Sequence, residues 1–414
     1  MNILVVGVNY KTAPVEVREK LAVPYTGLGD GLERLSHYLD KGVLLSTCNR
    51  TEVYTLATKA GPAQEQVTQF LSQLSDLPRF LIASLLYSYP QQDAVKHLFR
   101  VACGLDSMVY GEAQILGQVR HALEIAQARS LTSPPMVRLF RSAVRLGRRV
   151  RSETKLGHNA ASVSSASVEM ASQLLKGLDN RSILVVGAGR IARRTVKTLL
   201  DKGATRVAVI NRTYERGAEL ASELGVTCHV FSELVPTLAG ADLAIVATAA
   251  TDYVISASDV GQRTGRPLFL IDISVPRNID PRAGKVKNAS LYDIDDLRQV
   301  SEANLEARRQ EGAQVEGMVD AEAARFMEWW HSLETLPTLV ALRSRAESVR
   351  QRELAKALSK LPDLPPEERW RLEAMTRAIV NKLLHRPSIL LRQSRDGYDY
   401  QQAIAEVFDI KEKE

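Results

Sequence analysis

Cysteine is scarce in this sequence: three in 414 residues, widely separated at Cys48, Cys103 and Cys228. Neither a disulfide framework nor a C-x-x-C or comparable metal-ligand spacing can be built from them. Each is a packed core residue or a chemically active thiol. No run approaches the roughly 18 consecutive apolar residues that a membrane span requires. The opening MNILVVGVNYKTAP is apolar only from Ile3 to Val8 and has no basic region before it, so no signal peptide is expected. A cytoplasmic chain with no membrane partner follows as the expectation. Proline is missing between Pro281 and Pro337, and neither an internal repeat nor a low-complexity tract occurs.

What is present is ordinary for a globular protein. Hydrophobic residues make up 45% and charged residues 25%, and the length implies two or three domains rather than one core. The net charge of +6 is mild evidence for an anionic partner. Its densest stretch is RLFRSAVRLGRRVRSETK. On a helical wheel Arg138, Arg141, Arg145, Arg148 and Arg149 share about a third of the circumference, opposite Leu139, Phe140, Ala143, Val144, Leu146 and Val150. That cationic face reads either as solvated surface or as a contact for phosphates.

Three textures follow one another. Up to about residue 150, strand-like ILVVGV, VLLS and EVYTLAT alternate with the helical spacing of DAVKHLFRVACGL and of residues 111–128. From 181 to about 295 strands and helices alternate strictly: SILVVGAG, a helix to Lys202, RVAVINRT, a helix to Leu224, then VTCHV, DLAIVATA, PLFLIDIS and SLYDID. This is the pattern of a doubly wound parallel sheet. Beyond Asp296 a long helix is expected, then further helices broken at LPDLPPEE and at HRP.

SILVVGAGRIARRTVKTLL carries Gly187, Ala188, Gly189, Arg190, Ile191 and Ala192 at a strand-to-helix junction. It fits G-x-G-x-x-A: the first glycine makes the turn, the second admits a pyrophosphate, and the small third residue packs helix on sheet. Where NAD sites place a carboxylate, the second strand ends in Asn211, Arg212 and Thr213, with Arg216 a turn later. Arginine and hydroxyl would hold a 2′-phosphate that a carboxylate would repel, so NADPH is expected over NADH.

VLLSTCNRTEVYTL sets Cys48 among hydroxyl, amide and guanidinium groups, between two strands. A thiol there is a candidate nucleophile, and Arg50 is expected to favour its thiolate. An innocent cysteine in a polar loop is the other reading. Cys103 in VACGL and Cys228 in VTCHV read as core and strand residues, and His97 in KHLFRV as a buried helical histidine.

The segments GVNYKTAPVEVREK, STCNRTEVY, HLFRVACGLDSMVYGEAQILGQVR, GHNAASVSSASVEM, the GAG turn, the NRT strand end and DISVPRNIDP occur in that order. Together they resemble the signature segments of the glutamyl-tRNA reductase family over residues 3 to 300. The resemblance implies a multidomain α/β protein: an α+β catalytic domain over 1–150, an NADPH-binding Rossmann domain over 151–300 entered through a linking helix, and an all-α dimerisation domain over 301–414. It implies reduction of tRNA-bound glutamate to the 1-semialdehyde through a thioester on Cys48, the first step toward tetrapyrroles. It also implies a V-shaped homodimer whose NADPH domain must swing toward the cysteine, and a hand-off of product to an aminotransferase.

By the same resemblance Thr47, Asn49 and Arg50 line the glutamate pocket with Ser107, Glu112, Ala113, Gln114 and Gln118, and His97 joins Cys48 as catalytic. Arg50 would meet the γ-carboxylate and Glu112 the α-ammonium group, and the arginine face would contact tRNA. Two other readings stand beside this one: an NADP-dependent reductase of a small acid, and a non-catalytic, NADP-sensing tRNA-binding protein. Cys48 beside Arg50 separates them, because neither rival needs a thiol there.

Overall fold

The computed structural model describes residues 1–112, 114–154, 162–261, 266–297, 305–334, 336–393 and 400–408. It divides into two compact units, residues 1–323 and 324–414. Strand β1 (Asn2–Asn9) opens the first and is followed by α1 (Val15–Leu21), α2 (Leu28–Ser36), β2 (Val43–Ser46), β3 (Arg50–Ala57), α3 (Ala60–Ser75), α4 (Arg79–Leu85) and β4 (Tyr87–Pro90). The sheet order is β2-β3-β1-β4, antiparallel throughout, which is the split βαβ arrangement. Strand β1 is buried along almost its whole length, because helices cover one face and the charged cluster described below fills part of the other.

Helices α5 (Gln91–Cys103), α6 (Gln114–Ala128) and α7 (Pro134–Glu153) complete this domain. The apolar residues read on one side of the α7 wheel are buried, while Arg138, Arg141, Arg145 and Arg148 are exposed. Helix α8 (Val163–Leu175) follows, started by a capping box between Ser162 and Ser165. The start of the GHNAASVSSASVEM segment lies outside the described residues.

The doubly wound region follows the order read from sequence: β5 (Ser182–Val186), α9 (Arg190–Asp201), β6 (Arg206–Ile210), α10 (Tyr214–Leu224), β7 (Thr227–His229), α11 (Leu234–Gly240), β8 (Leu243–Val246), α12 (Ala257–Val260), β9 (Leu268–Asp272) and β10 (Ala289–Tyr292). Its sheet runs β10-β9-β8-β5-β6-β7, parallel throughout. The order reverses at β5, where a dinucleotide site belongs.

The helical remainder comprises α13 (Leu305–Glu334), α14 (Leu336–Ser359), α15 (Pro366–Gln393) and α16 (Tyr400–Val407). The break at LPDLPPEE is present. The break expected at HRP is not: Pro387 lies inside α15. Proline removes one helical hydrogen bond, but Leu384 and Leu391 on either side are buried with Leu339, Leu342 and Ile404, and that packing carries the helix through. No helix among the described residues is long and apolar enough to cross a membrane.

Candidate active site

Cys48 occupies the tight turn between β2 and β3. Thr47 N–H donates to the Arg50 carbonyl at 2.8 Å, and Thr47 Oγ1 accepts from the amides of Asn49 and Arg50 at 3.1 and 3.2 Å. Threonine at this position thus closes the turn with its own hydroxyl. The Tyr10 amide ties the turn to the end of β1 through the Asn49 carbonyl at 2.9 Å.

From Arg50 the strand alternates, so Arg50, Glu52 and Tyr54 share one face. All three are buried, and Glu52 is their hub. It accepts from Arg50 Nη1 at 2.6 Å, from the Tyr54 hydroxyl at 2.6 Å and from the Tyr87 hydroxyl. Burial opposes ionisation of Glu52, but Arg50 and His97 outweigh it and hold the carboxyl below its usual range. With Glu52 an anion, His97 Nε2 donates to it across 2.8 Å. His97 Nδ1 lies 3.6 Å from Asp106 Oδ2, so both ring nitrogens face carboxylates.

Asp106 is bound by Lys11 at 3.1 Å and Arg100 at 3.3 Å. Burial pushes its carboxyl up, yet Arg100 and Lys11 bring it down to about 2. Asp106 sits on the loop that follows α5. That loop turns at Gly104, whose φ of +79° suits glycine and whose Cβ would stand 3.0 Å from the Glu112 nitrogen. The fold-back lays the Asp106 carbonyl on Arg50 Nη2 and buries Ser107 and Glu112. Gln114 and Gln118 follow one turn apart at the start of α6. Ala113 lies outside the described residues.

Two polar atoms of this pocket are buried and have no hydrogen-bond partner among the described residues: Asn49 Oδ1 and Arg50 Nε. Unsatisfied buried groups are uncommon, and each calls for an explanation. Glu112 is the third unusual group. Burial raises its carboxyl to about 7, with Arg50, Arg194 and Arg151 only partly offsetting the effect.

Arg50 does favour the Cys48 thiolate, as expected, but burial and Glu112 outweigh it. The thiol is partly accessible, but the protein around it and the neighbouring Glu112 push it up to about 12, against smaller opposing effects of Arg18 and Arg50. Arg50 also commits both terminal nitrogens inside the protein, to Glu52 and the Asp106 carbonyl.

The nucleotide turn meets its requirements. Gly187 has φ of +120°, and a Cβ there would come within 2.3 Å of the Ala247 carbonyl. Gly189 begins α9 without a side-chain cap; a Cβ on it would meet nothing within 4 Å, leaving room for a pyrophosphate against the free amides. Ala192 is fully buried, and Arg190 is exposed. The Gly187 amide donates to the Ile210 carbonyl at 2.8 Å, so the end of β6 lies beside this turn. Asn211 Nδ2 donates to the Thr213 carbonyl at 2.8 Å, and Arg212, Thr213 and Arg216 are exposed there.

Cys48 and Tyr10 pack against the same apolar cluster as Ala188 and Ile191, and that cluster contains Val15, Met108 and Val109 together with Val185 and Ala192. Apolar surface from both domains is therefore buried in one cluster. Sequence reasoning missed Glu52, Asp106, Tyr87 and Arg18. For Glu52 a signal existed, since charged and aromatic residues alternate along an otherwise apolar strand.

The basic face of α7 borders a cleft of about 850 Å³ lined by Lys41, Ser130, Thr132, Arg138, Arg141 and Arg145. Arg145 and Arg149 stand 3.7 and 3.8 Å from Glu322, so part of the stripe is neutralised internally. Arg141 and Arg148 have no carboxylate at ion-pair distance among the described residues.

Comparison with known proteins agrees along the whole chain. Residues 6–154 match the N-terminal domain of glutamyl-tRNAGlu reductase, residues 169–300 match shikimate/quinate 5-dehydrogenase, and residues 314–410 match the glutamyl-tRNAGlu reductase dimerisation domain. Glutamyl-tRNA reductase of Thermosynechococcus vestitus is 40% identical over 99% of this chain and 98% of its own. That of Geobacter sulfurreducens is 41% identical over 99% and 97%. The solved glutamyl-tRNA reductase from Methanopyrus kandleri is 33% identical and covers 99% of both chains with a TM-score of 0.50.

Proposed function

The chain belongs to the glutamyl-tRNA reductase family, and from that premise we propose that it reduces tRNA-bound glutamate to glutamate-1-semialdehyde with NADPH, through a thioester on Cys48. The observation that carries this reading is the placement of Cys48. It lies in a pocket with unpartnered buried Asn49 Oδ1 and Arg50 Nε, packed against the same cluster as the nucleotide turn.

The aminoacyl ester is an electrophile that a free carboxylate is not. Attack by Cys48 sulfur on its carbonyl carbon expels the tRNA ribose hydroxyl and leaves a thioester. A nicotinamide nucleotide held at the turn from Gly187 to Ala192 would supply the hydride that takes the acyl carbon to the aldehyde level and returns the thiol. The Cys48 proton must be lost as the sulfur attacks. An α-ammonium group beside Glu112 would favour the carboxylate. Asn49 and the unpartnered Arg50 Nε are assigned to the substrate's polar groups, with Thr47 holding the turn and Ser107, Gln114 and Gln118 forming the rim. His97, held between Glu52 and Asp106, is assigned as the second catalytic residue beside Cys48.

NADPH is assigned over NADH because the end of β6 offers Arg212, Thr213 and Arg216 and no carboxylate at Asn211. Gly187, Ala188, Gly189, Arg190, Ile191 and Ala192 would hold the pyrophosphate. The cleft under Arg141 is assigned to tRNA phosphates. Exposed Met375, Ile379 and Leu383 at four-residue spacing on α15 suit a homodimer made through the dimerisation domain. A reactive aldehyde product favours direct hand-off to an aminotransferase. Domain limits at 1–150, 151–300 and 301–414 accompany this reading. The test is NADPH oxidation with glutamyl-tRNA, with and without prior ribonuclease. Oxidation should vanish after ribonuclease and with free glutamate; oxidation that survives either would refute the proposal.

A further inference from the structure

We propose that Arg277 and Arg18 are positioning residues that dock the nucleotide-binding domain onto the face of the N-terminal domain that carries Cys48. This rests on the function proposed above. Arg277 lies beyond the carboxyl end of β9, the edge of the parallel sheet at which the nucleotide turn also lies. It reaches across to α1. Its Nε and Nη2 meet the two carboxylate oxygens of Glu19 at 3.0 and 2.8 Å, and its backbone amide adds a third bond at 3.2 Å. Nη1 takes Glu16 at 2.8 Å. A guanidinium laid fork-on on a carboxylate fixes orientation as well as distance. Both Arg277 and Glu19 are largely withdrawn from water, with side chains 11% and 16% exposed.

Arg18 forms the second tie, with polarity reversed. It belongs to α1 and is buried; its Nη2 pairs with Asp295 beyond the end of β10. Its Nη1 donates to the Cys48 carbonyl at 2.5 Å, and its Nε donates to the Ala13 carbonyl at 3.1 Å. One domain thus offers two carboxylates and an arginine, and the other offers an arginine and a carboxylate. Only one docking register pairs both sets, and any slip opposes like charges. The apolar contact of Val15 with the cluster holding Ala192 supplies attraction, while the ion pairs supply register, which is where buried pairs act best. Because Arg18 holds the backbone of Cys48 itself, register at the dock is passed directly to the thiol.

The test uses the full-length enzyme and separates the two half-reactions. Without NADPH, transfer of labelled glutamate from tRNA to the protein reports acylation; with NADPH, single-turnover oxidation reports reduction. Arg277→Glu should acylate at the wild-type rate and bind NADPH normally, yet reduce more slowly by roughly tenfold to a hundredfold, since small misplacement of reacting centres costs that much. In the nucleotide-free protein, amide exchange over residues 274–280 should quicken. The charge-swapped double variant Glu19→Arg/Arg277→Glu should recover part of the reduction, since Glu16 still opposes the new carboxylate, and Arg277→Lys should fall between wild type and Arg277→Glu. Wild-type reduction by an acylated Arg277→Glu variant, or a charge swap no faster than that single variant, would overturn the dock. Absence of label on the wild-type enzyme would instead overturn the proposed function.

Discussion

Replacing Glu112 with glutamine should stabilise the protein in alkaline solution while destroying its use of substrate. Glutamine keeps the shape of the side chain and removes its charge. Burial lifts this carboxyl from 4.5 to about 7, about 2.5 pH units, and each unit is worth about 1.4 kcal/mol. A raised carboxyl pKa means that the folded state holds its proton more tightly than the unfolded chain. The folded state is therefore unpenalised below pH 4.5 and is progressively destabilised as pH rises to 7. Above that the penalty levels off at about 3 kcal/mol, an order-of-magnitude figure. Urea unfolding of Glu112→Gln and wild type at pH 4.5 and pH 8 measures it. The variant should gain up to about 3 kcal/mol at pH 8 and less than about 0.5 at pH 4.5. Glutamyl transfer to Cys48 should fall together with the gain. A stability difference that does not depend on pH would refute the burial argument.

Three further outcomes are expected. Cys48→Ser should abolish reduction while tRNA still binds, because a hydroxyl is a far weaker nucleophile; a gel-shift titration beside the NADPH assay measures both. Arg212→Asp should raise the Kd for NADPH much more than that for NADH, by losing a phosphate partner and adding a like charge; equal changes would place the 2′-phosphate elsewhere. Arg141→Glu should weaken glutamyl-tRNA binding and reduce the slope of log K against log salt by about 1. An unchanged slope would leave the α7 stripe as solvated surface.

The doubly wound half was legible because its central strands β5, β8 and β9 are buried apolar runs and the turn after β5 carries its own chemistry. Six strands read from SILVV to SLYD reappear in the order of a dinucleotide-binding sheet. The Cys48 turn was legible for a similar reason: polar residues interrupt two apolar runs. What escaped was pairing at long range. Arg50 read as a free cation two residues from a thiol, yet its charge is consumed by Glu52, and Glu52 is satisfied only when Tyr87 and His97 arrive from β4 and α5. No local window contains those partners. The failed break at Pro387 has the same origin, since the leucines that hold α15 together find their partners on α14 and α16. Arg18 was the hardest to see. It lies in an amphipathic stretch where an arginine is unremarkable, and its partners are 30 and 277 positions away.

The charges around Cys48 also account for an otherwise awkward result, a nucleophile whose thiol is pushed up to about 12. Burial disfavours the thiolate, and the charge of Glu112 adds repulsion. A substrate bringing an ammonium group would offset the charge of Glu112 and place a cation near the sulfur, so both effects would move toward the thiolate together. Thioester formation would then be suppressed until an aminoacyl group is seated, which protects a half-buried cysteine from oxidants and stray electrophiles. The consequence can be measured with iodoacetamide. Cys48 in the ligand-free enzyme should alkylate slowly at pH 8, and a non-hydrolysable glutamyl-adenosine amide that leaves the thiol accessible should speed that alkylation. Rapid alkylation of the ligand-free enzyme at neutral pH would show that the thiolate is already present and that substrate does nothing to create it.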